Sequence, residues 1–207
     1  MPLIRKPGDT PAPATPDARH VLQALTSPAS EDRWTAARAA ADLEGADVAL
    51  SRALQAETDP RVREAMLTGL ARIGTPVAVE SLLSMLRSDS AALRTGALDA
   101  LQMLPALGAV TAQFLRDPDP DVRILSCELA RALPAAEASG LLCAMLAEEQ
   151  SANVCASAID VLAEVAGPEA LGALADCARR FRDTPFLLFA IRAVSDRINV
   201  KSASTRA

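Results

Sequence analysis

The chain has 207 residues, half of them hydrophobic, which is enough to bury a sizeable core in one domain. It has no tyrosine, one tryptophan and four phenylalanines, so its core must consist mainly of small aliphatic side chains. The net charge of −5 argues against a nucleic-acid partner, because a protein that binds nucleic acid needs a basic surface. A charged partner of this chain is expected to be basic.

Residues 1–16 are rich in proline and contain no recurring apolar position, which predicts a disordered leader. They lack the apolar run of a signal peptide. No stretch of the chain approaches the roughly 18 unbroken apolar residues of a membrane span. The sequence therefore predicts a cytoplasmic protein with no membrane partner.

An apolar anchor position recurs along the chain at spacings of 31, 29, 32 and 33 residues. Three residues before each anchor stands a side chain whose oxygen can accept the free backbone N–H groups of a first helical turn. Pro60, Pro120 and Pro185 follow three of these caps, at the first helical position, where proline is favoured. The anchors are Val62, Leu93, Val122, Val154 and Leu187, and their caps are Asp59, Ser90, Asp119, Ser151 and Thr184.

This register predicts a tandem array of six helical hairpins. A single hairpin cannot cover its apolar stripe, whereas stacking on its neighbours does, which favours a right-handed superhelix of helix pairs. The predicted fold class is all-α, a solenoid that forms one domain over residues 17–199, with a polar tail over 200–207. The predicted hairpins cover 17–45, 46–74, 75–105, 106–134, 135–167 and 168–199, and the first deviates from the register by about one residue.

The stretch Asp59-Pro60-Arg61-Val62-Arg63 resembles the helix start of HEAT repeats. The small residues Ala65, Gly96 and Ala97 after the anchors and the period near 30 residues fit the same family, and the short period is similar to the repeats of phycobilisome lyases. The resemblance implies an α-α superhelix whose second helices line a concave face. It also implies a scaffold that binds a protein or peptide there.

An arginine follows the anchor in three successive hairpins, at Arg63, Arg94 and Arg123. One interpretation is a strip that binds anions. The other, which we favour, is structural and rests on the resemblance. In HEAT-like arrays this arginine pairs with acids of the caps and turns, such as Asp59 and Asp119, and so links adjacent turns.

A second recurring position lies six residues after each anchor, on the side of the helix opposite the apolar stripe. By the resemblance to HEAT repeats it faces the groove, where three successive repeats would present an acidic row at intervals of about 10 Å. The alternative is an ordinary solvated helix face. The candidate protein-binding residues are Glu64, Thr68, Thr95, Asp99, Gln102, Glu128, Arg131, Asp160 and Glu164.

Nothing in the sequence predicts a catalytic, metal or cofactor site, and we expect no enzyme. Cys127, Cys143, Cys155 and Cys177 show no CxxC spacing, and in helical patterns they read as buried free thiols. Ser126, Ser139 and Ser157 have no histidine within a shared repeat, since the one histidine is His20, so serine–histidine chemistry has no candidate.

Two functional hypotheses remain open. The first is a non-catalytic scaffold or adaptor of a regulatory or signalling assembly, with its partner in the groove. The alternative is an accessory subunit or chaperone of a lyase-type or metal-handling enzyme, with Cys143 and Cys177 as the metal ligands to test. The oligomeric state is also open, and Phe181, Phe186 and Phe189 near the last turn are candidates for self-association.

Overall fold

The computed structural model describes residues 17–205, apart from the side chains of residues 202, 204 and 205. Over this range the chain forms twelve α-helices and a short 3-10 turn at Pro168–Ala170, and no strand. None of the helices in this part of the chain is both long and apolar enough to cross a bilayer. The helices are α1 (Ala18–Ala24), α2 (Ser30–Ala40), α3 (Ala46–Ala56), α4 (Pro60–Ile73), α5 (Pro76–Met85), α6 (Ala91–Gln102), α7 (Leu107–Phe114), α8 (Pro120–Ala130), α9 (Ala135–Glu148), α10 (Ala152–Val165), α11 (Leu171–Arg180) and α12 (Pro185–Thr205).

Consecutive helices pack as hairpins, which confirms the predicted all-α repeat fold. Contacts join α1 to α2, α5 to α6, α7 to α8, α9 to α10 and α11 to α12. The remaining pair meets at a glycine, because a Cβ atom at Gly69 of α4 would lie only 3.1 Å from Leu50 of α3. Glycine at this position therefore lets the two helices approach closely.

The second helices α4, α6, α8 and α10 begin where a polar side chain accepts a free backbone N–H group. Asp59 and Asp119 each accept the backbone N–H of the residue two positions on, both at 2.9 Å. Ser90 and Ser151 accept the N–H of the anchor three positions on, at 3.4 and 3.5 Å. At Thr184 the backbone carbonyl accepts the N–H groups three and four residues on, both at 3.1 Å.

The contacts divide the chain into two compact units, Met1–Gly69 and Leu70–Ala207, and the division falls inside α4. The core of the first unit includes Leu25, Leu50 and Leu54, each at most 2% exposed. The predicted single domain over 17–199 stays a prediction.

The second unit has two layers of helices. In one layer α8 packs against α6 and α10, and α10 packs against α12; in the other, α9 packs against α11. Between the layers lie Leu142, Ile159, Leu162 and Leu174, each at most 1% exposed. The layer of second helices therefore has one face on the core and one in solvent, and the solvent face carries the candidate site.

Of the two predicted chain-end segments, the structure describes only part of the C-terminal one. The predicted leader over 1–16 lies outside the described residues. At the other end, α12 continues to Thr205 and so includes most of the predicted polar tail over 200–207. No proline or glycine follows Pro185, so nothing in the sequence stops this helix.

Candidate functional site

Four arginines near the starts of second helices hold the turns that precede them. Arg33, Arg63, Arg94 and Arg123 each donate from a terminal guanidinium nitrogen to the backbone carbonyls six and five residues earlier. The distance to the first carbonyl is 2.7–2.9 Å, and the distance to the second is 3.1–3.3 Å. We call these four residues the turn ladder; their donors are directed into the protein and do not form an exposed strip for anions.

Two arginines of the turn ladder also reach a carboxylate of the next repeat. Arg33 donates to both carboxylate oxygens of Glu57, at 2.7 and 3.0 Å, and Arg123 does the same to Glu149, at 2.7 and 3.1 Å. Each glutamate also accepts the backbone N–H groups of the two residues after it, at 2.7–2.9 Å. The glutamate side chains are only 2% and 5% exposed. Each buried carboxylate is therefore well satisfied and joins two consecutive repeats.

These contacts shift the acidity of both carboxyl groups in the same direction. The hydrogen bond from Arg33 lowers the pKa of the Glu57 carboxyl, against the opposing effect of burial. Burial raises the pKa of Glu149, but the hydrogen bonds from Arg123 and from the backbone N–H of Ser151 outweigh it, so its pKa is lowered overall. Both pairs are therefore ionic at neutral pH.

The acids that receive these arginines differ from those that we expected. Asp59 and Asp119 accept backbone N–H groups instead, and the partners are the glutamates two residues before a cap, Glu57 and Glu149. The position five residues before the anchor recurs in the sequence as a hydrogen-bond acceptor, which is the signal that would have found them. In the structure the backbone N–H of the cap two residues later donates to this side chain, at 2.7–3.2 Å, and Ser27 makes the same contact with the N–H of Ala29. The acceptors at the recurring position are Glu57, Ser88, Asp117 and Glu149.

The turn ladder does not continue into the last two pairs. In α10 its position is taken by Cys155, whose Sγ lies 4.0 Å from the carbonyl of Glu149. In α12 the position is Leu188, and the acceptor position is taken by Arg182, whose side chain is 82% exposed. A different arginine holds α12 to α10, because Arg197 donates to two carbonyls at the C-terminal end of α10, at 3.1 and 2.9 Å.

The candidate protein-binding residues lie on the solvent-facing side of second helices. All of them are exposed except Thr68, Glu128 and Arg131, which are half-buried. They comprise Glu64 and Thr68 on α4, Thr95, Asp99 and Gln102 on α6, Glu128 and Arg131 at the end of α8, and Asp160 and Glu164 on α10.

Four of these residues come together in one group, which we call the Arg131 cluster. Arg131 pairs with Glu128 at 3.1 Å and with Asp160 of the next repeat at 2.9 Å, and it also pairs with Glu164. The side chains of Asp160 and Glu164 are 71% and 56% exposed. Three carboxylates share one guanidinium, so the cluster carries an excess of negative charge at the surface.

Two of the three phenylalanines near the last turn are exposed. Phe186 and Phe189, in the first turns of α12, are 54% and 75% exposed. Phe181 is half-buried and packs against the core of the second unit. The prediction of a surface for association is thereby limited to Phe186 and Phe189.

In the first unit, the tryptophan lies between two arginines. The guanidinium carbons of Arg38 and Arg61 are 4.7 and 3.9 Å from the centroid of the Trp34 ring. Arg61 also pairs with Glu31 at 2.9 Å. The stack links α2 to α4, and no sequence pattern pointed to it.

The cysteines and the histidine form no described metal site. Cys127, Cys155 and Cys177 are buried and Cys143 is half-buried, and burial raises the pKa of the Cys127 thiol to about 12. His20 is exposed on α1. Within residues 17–205, no three His, Cys, Asp or Glu side chains are arranged to hold a metal ion.

With this geometry in place, comparison with known families is informative for the N-terminal part of the chain. Residues 18–102 match the model of the HEAT-repeat family. By this match, residues 18–102 are similar to HEAT repeats. The match covers the first three hairpins, and the fourth has the same arginine–carbonyl contact, at Arg123. No curated protein matches the chain.

Solved structures similar to this chain are helical proteins of low sequence identity. An engineered protein is 20% identical, with 88% of this chain and 96% of that chain covered and a TM-score of 0.39. A chain in the complex of CpcE and CpcF of phycocyanin lyase from Nostoc sp. PCC7120 is 17% identical, with 96% of this chain and 100% of that chain covered and a TM-score of 0.40. A chain in the S. pombe condensin Cnd3-Cnd2 subcomplex is 18% identical, with 91% of this chain and 28% of that chain covered and a TM-score of 0.44. With TM-scores this low, we draw nothing from these likenesses about partners or activity.

Proposed function

We propose that this protein is a non-catalytic scaffold that binds a basic protein or peptide on the solvent face of its second helices. The observation that carries the proposal is the Arg131 cluster, in which side chains of α8 and α10 bring three carboxylates to one guanidinium. Exposed carboxylates in excess over cations attract basic groups and discriminate against acidic ones. Asp99 on α6, also exposed, extends the same acidic character to a third helix.

The turn ladder supports this proposal because it makes the face rigid before any partner binds. Arg123 at the start of α8 is bound to Glu149, which lies immediately after α9 and just before α10. The two repeats that contribute the Arg131 cluster are thus joined by a buried ion pair. A preformed surface loses little conformational entropy on binding, so more of the interaction energy remains as affinity.

The proposal is tested by reversing the charge of the face. In Glu128→Lys combined with Asp160→Lys, we expect the loss of partners that wild type captures from its native cells, read by affinity purification and mass spectrometry. The matched control is Glu80→Lys with Glu148→Lys, which makes the same charge change at exposed positions on the first helices α5 and α9. Circular dichroism checks that both variants are folded.

Equal capture by the face variant and wild type would contradict the proposal. Loss of capture by both double variants would show that overall charge, and not this face, selects the partner. The concave position of the face, the regulatory or signalling role and the cytoplasmic location stay predictions. No described contact favours the accessory-subunit alternative, so we do not develop it.

A further inference from the structure

The first turns of α12 expose aromatic surface on the side of the helix that faces away from the core. The buried stripe of α12 consists of Leu187, Ile191, Val194 and Ile198, each at most 6% exposed. Phe186 and Phe189 lie on another side of the helix, one turn apart, and are 54% and 75% exposed. Exposing two phenylalanines this far in neighbouring turns is costly in water and is typical of an interaction surface.

The repeat register places Phe189 on the same side of α12 as Asp160 on α10, one helical turn earlier. Counting from the caps Ser151 and Thr184, Ala156 on α10 occupies the position that Phe189 occupies on α12. Asp160 follows Ala156 by one helical turn on the same side of α10. Since α10 packs against both α8 and α12, the solvent face carries carboxylates on two helices and an aromatic ledge, Phe186 with Phe189, on the third.

We propose that the partner segment is a polyproline II stretch that carries two basic side chains and one apolar side chain at every third position. The apolar side chain stands at one end of the three, in either chain direction. The inference rests on the proposed function and names its ligand. The basic side chains bind at Glu128 and at Asp160, and the apolar one packs on the aromatic ledge. The segment crosses α8, α10 and α12 in sequence.

The spacing comes from the two geometries that must match. Packed helices lie about 8–10 Å apart. A polyproline II helix has three residues per turn and rises about 3.1 Å per residue, so side chains three positions apart point the same way at intervals of about 9 Å. An extended β-strand does not meet this condition, because residues three apart point to opposite sides.

Charge decides between the possible occupants of the ledge. On α8 and α10 the neighbouring acidic groups are Glu128, Asp160 and Glu164, with Arg131 as their shared cation. On α12 the exposed Arg192 lies one turn after Phe189, so the acidic groups still outnumber the cations. An acidic or purely apolar segment would bring no compensation for these carboxylates, whereas lysine or arginine would. Exposed ion pairs are weak singly, so the aromatic contact must supply much of the affinity.

The experiment uses fluorescence anisotropy with synthetic peptides and the full chain. The probe is a fluorescent Lys-Pro-Pro-Lys-Pro-Pro-Phe peptide, tested in both chain directions. Its control has the same composition with the lysines and phenylalanine adjacent. We expect the spaced peptide to bind in one direction, and the control to bind at least about tenfold more weakly, because it cannot reach all three helices.

Variants of the protein then locate the contacts. Phe189→Glu and Asp160→Lys should each weaken the binding of the spaced peptide by about tenfold or more. Val77→Glu, a matched change at a residue 46% exposed on the first helix α5, should leave it unchanged. Circular dichroism of each variant shows whether it is folded.

Three outcomes would overturn the inference: no binding of the spaced peptide, equal binding of the control, or full binding by Phe189→Glu. A chain that sediments as a dimer and becomes a monomer in Phe189→Glu, without peptide binding, would assign the ledge to a second copy instead. If the peptide fails but native partners still depend on Glu128 and Asp160, the ligand inference fails and the proposed function stands.

Discussion

Arg123 and Arg131 lie roughly two turns apart along α8, and each pairs with acids of the following repeat in different surroundings. Arg123 and Glu149 are 16% and 5% exposed at the side chain. For Arg131 and Asp160 the values are 30% and 71%. The buried pair also takes up backbone groups of two turns, whereas the exposed group consists of side chains alone. The same residue types therefore serve the fold in one region and remain accessible to a partner in the other.

The largest expected effect comes from breaking the buried pair. Glu149→Ala leaves Arg123 without its carboxylate and the N–H groups of two turn residues without their acceptor, so we expect a loss of about 3 kcal/mol in unfolding free energy. The matched control is Glu164→Ala in the Arg131 cluster, for which we expect about 0–1 kcal/mol. Urea unfolding followed by circular dichroism measures both, and equal losses would refute the distinction.

Lowering the pH is expected to have a smaller effect on stability. The pKa of Glu57 and of Glu149 is lower in the folded protein than the ordinary 4.5. The stability that these two carboxylates contribute to the folded protein is therefore fully present above their unfolded pKa. It is lost as the pH falls through their folded pKa. The melting temperature should decrease below about pH 4.5, and Glu149→Gln should make that decrease shallower. A Glu149→Gln profile as steep as that of wild type would show that this carboxylate does not contribute.

Removing a helix cap should cost less than removing the buried pair. Asp119→Ala deprives the first turn of α8 of the oxygen that accepts the N–H of Asp121, and we expect about 1 kcal/mol of destabilisation. Asp99→Ala, an exposed position inside α6, is the control and should be close to neutral. Thermal melts of the two variants distinguish a cap from an ordinary surface carboxylate.

The smallest effect on stability, and an opposite effect on binding, is expected at Arg131. Arg131→Ala should cost at most about 1 kcal/mol in stability, because its partners are largely exposed. It also removes the one cation of the cluster, so the spaced basic peptide should bind about two- to threefold more tightly. Weaker binding would mean that Arg131 itself contacts the ligand, and raising the salt concentration should reduce any gain.

Much of the fold follows from local rules that the sequence displays. Caps such as Ser90 and Asp119 and the proline after a cap determine where second helices begin, because helix starts need an acceptor for free N–H groups. Helical periodicity also predicted which side of the second helices faces solvent, since residues at a helical period share one side. The end of α12 could not be placed, because no breaker marks it.

The pairings within the site could not be derived in this way. Arg33 could not be identified because the first hairpin deviates from the register. Glu57 and Glu149 could not be identified because the caps two residues later offer side-chain oxygens of the same kind. The register separates Arg123 from Arg131, but nothing local identifies their partners Glu149 and Glu164, which are each roughly 30 residues further along the chain.

The sequence by itself determined the helices, their pairing into repeats and the side of each helix that meets solvent, because these depend on neighbours within a few residues. Only the tertiary structure decided which carboxylate became buried against Arg123 and which stayed exposed around Arg131. The physical reason is that these side chains come from different repeats and meet only after the helices have packed, so their burial and charge are properties of the packed layer.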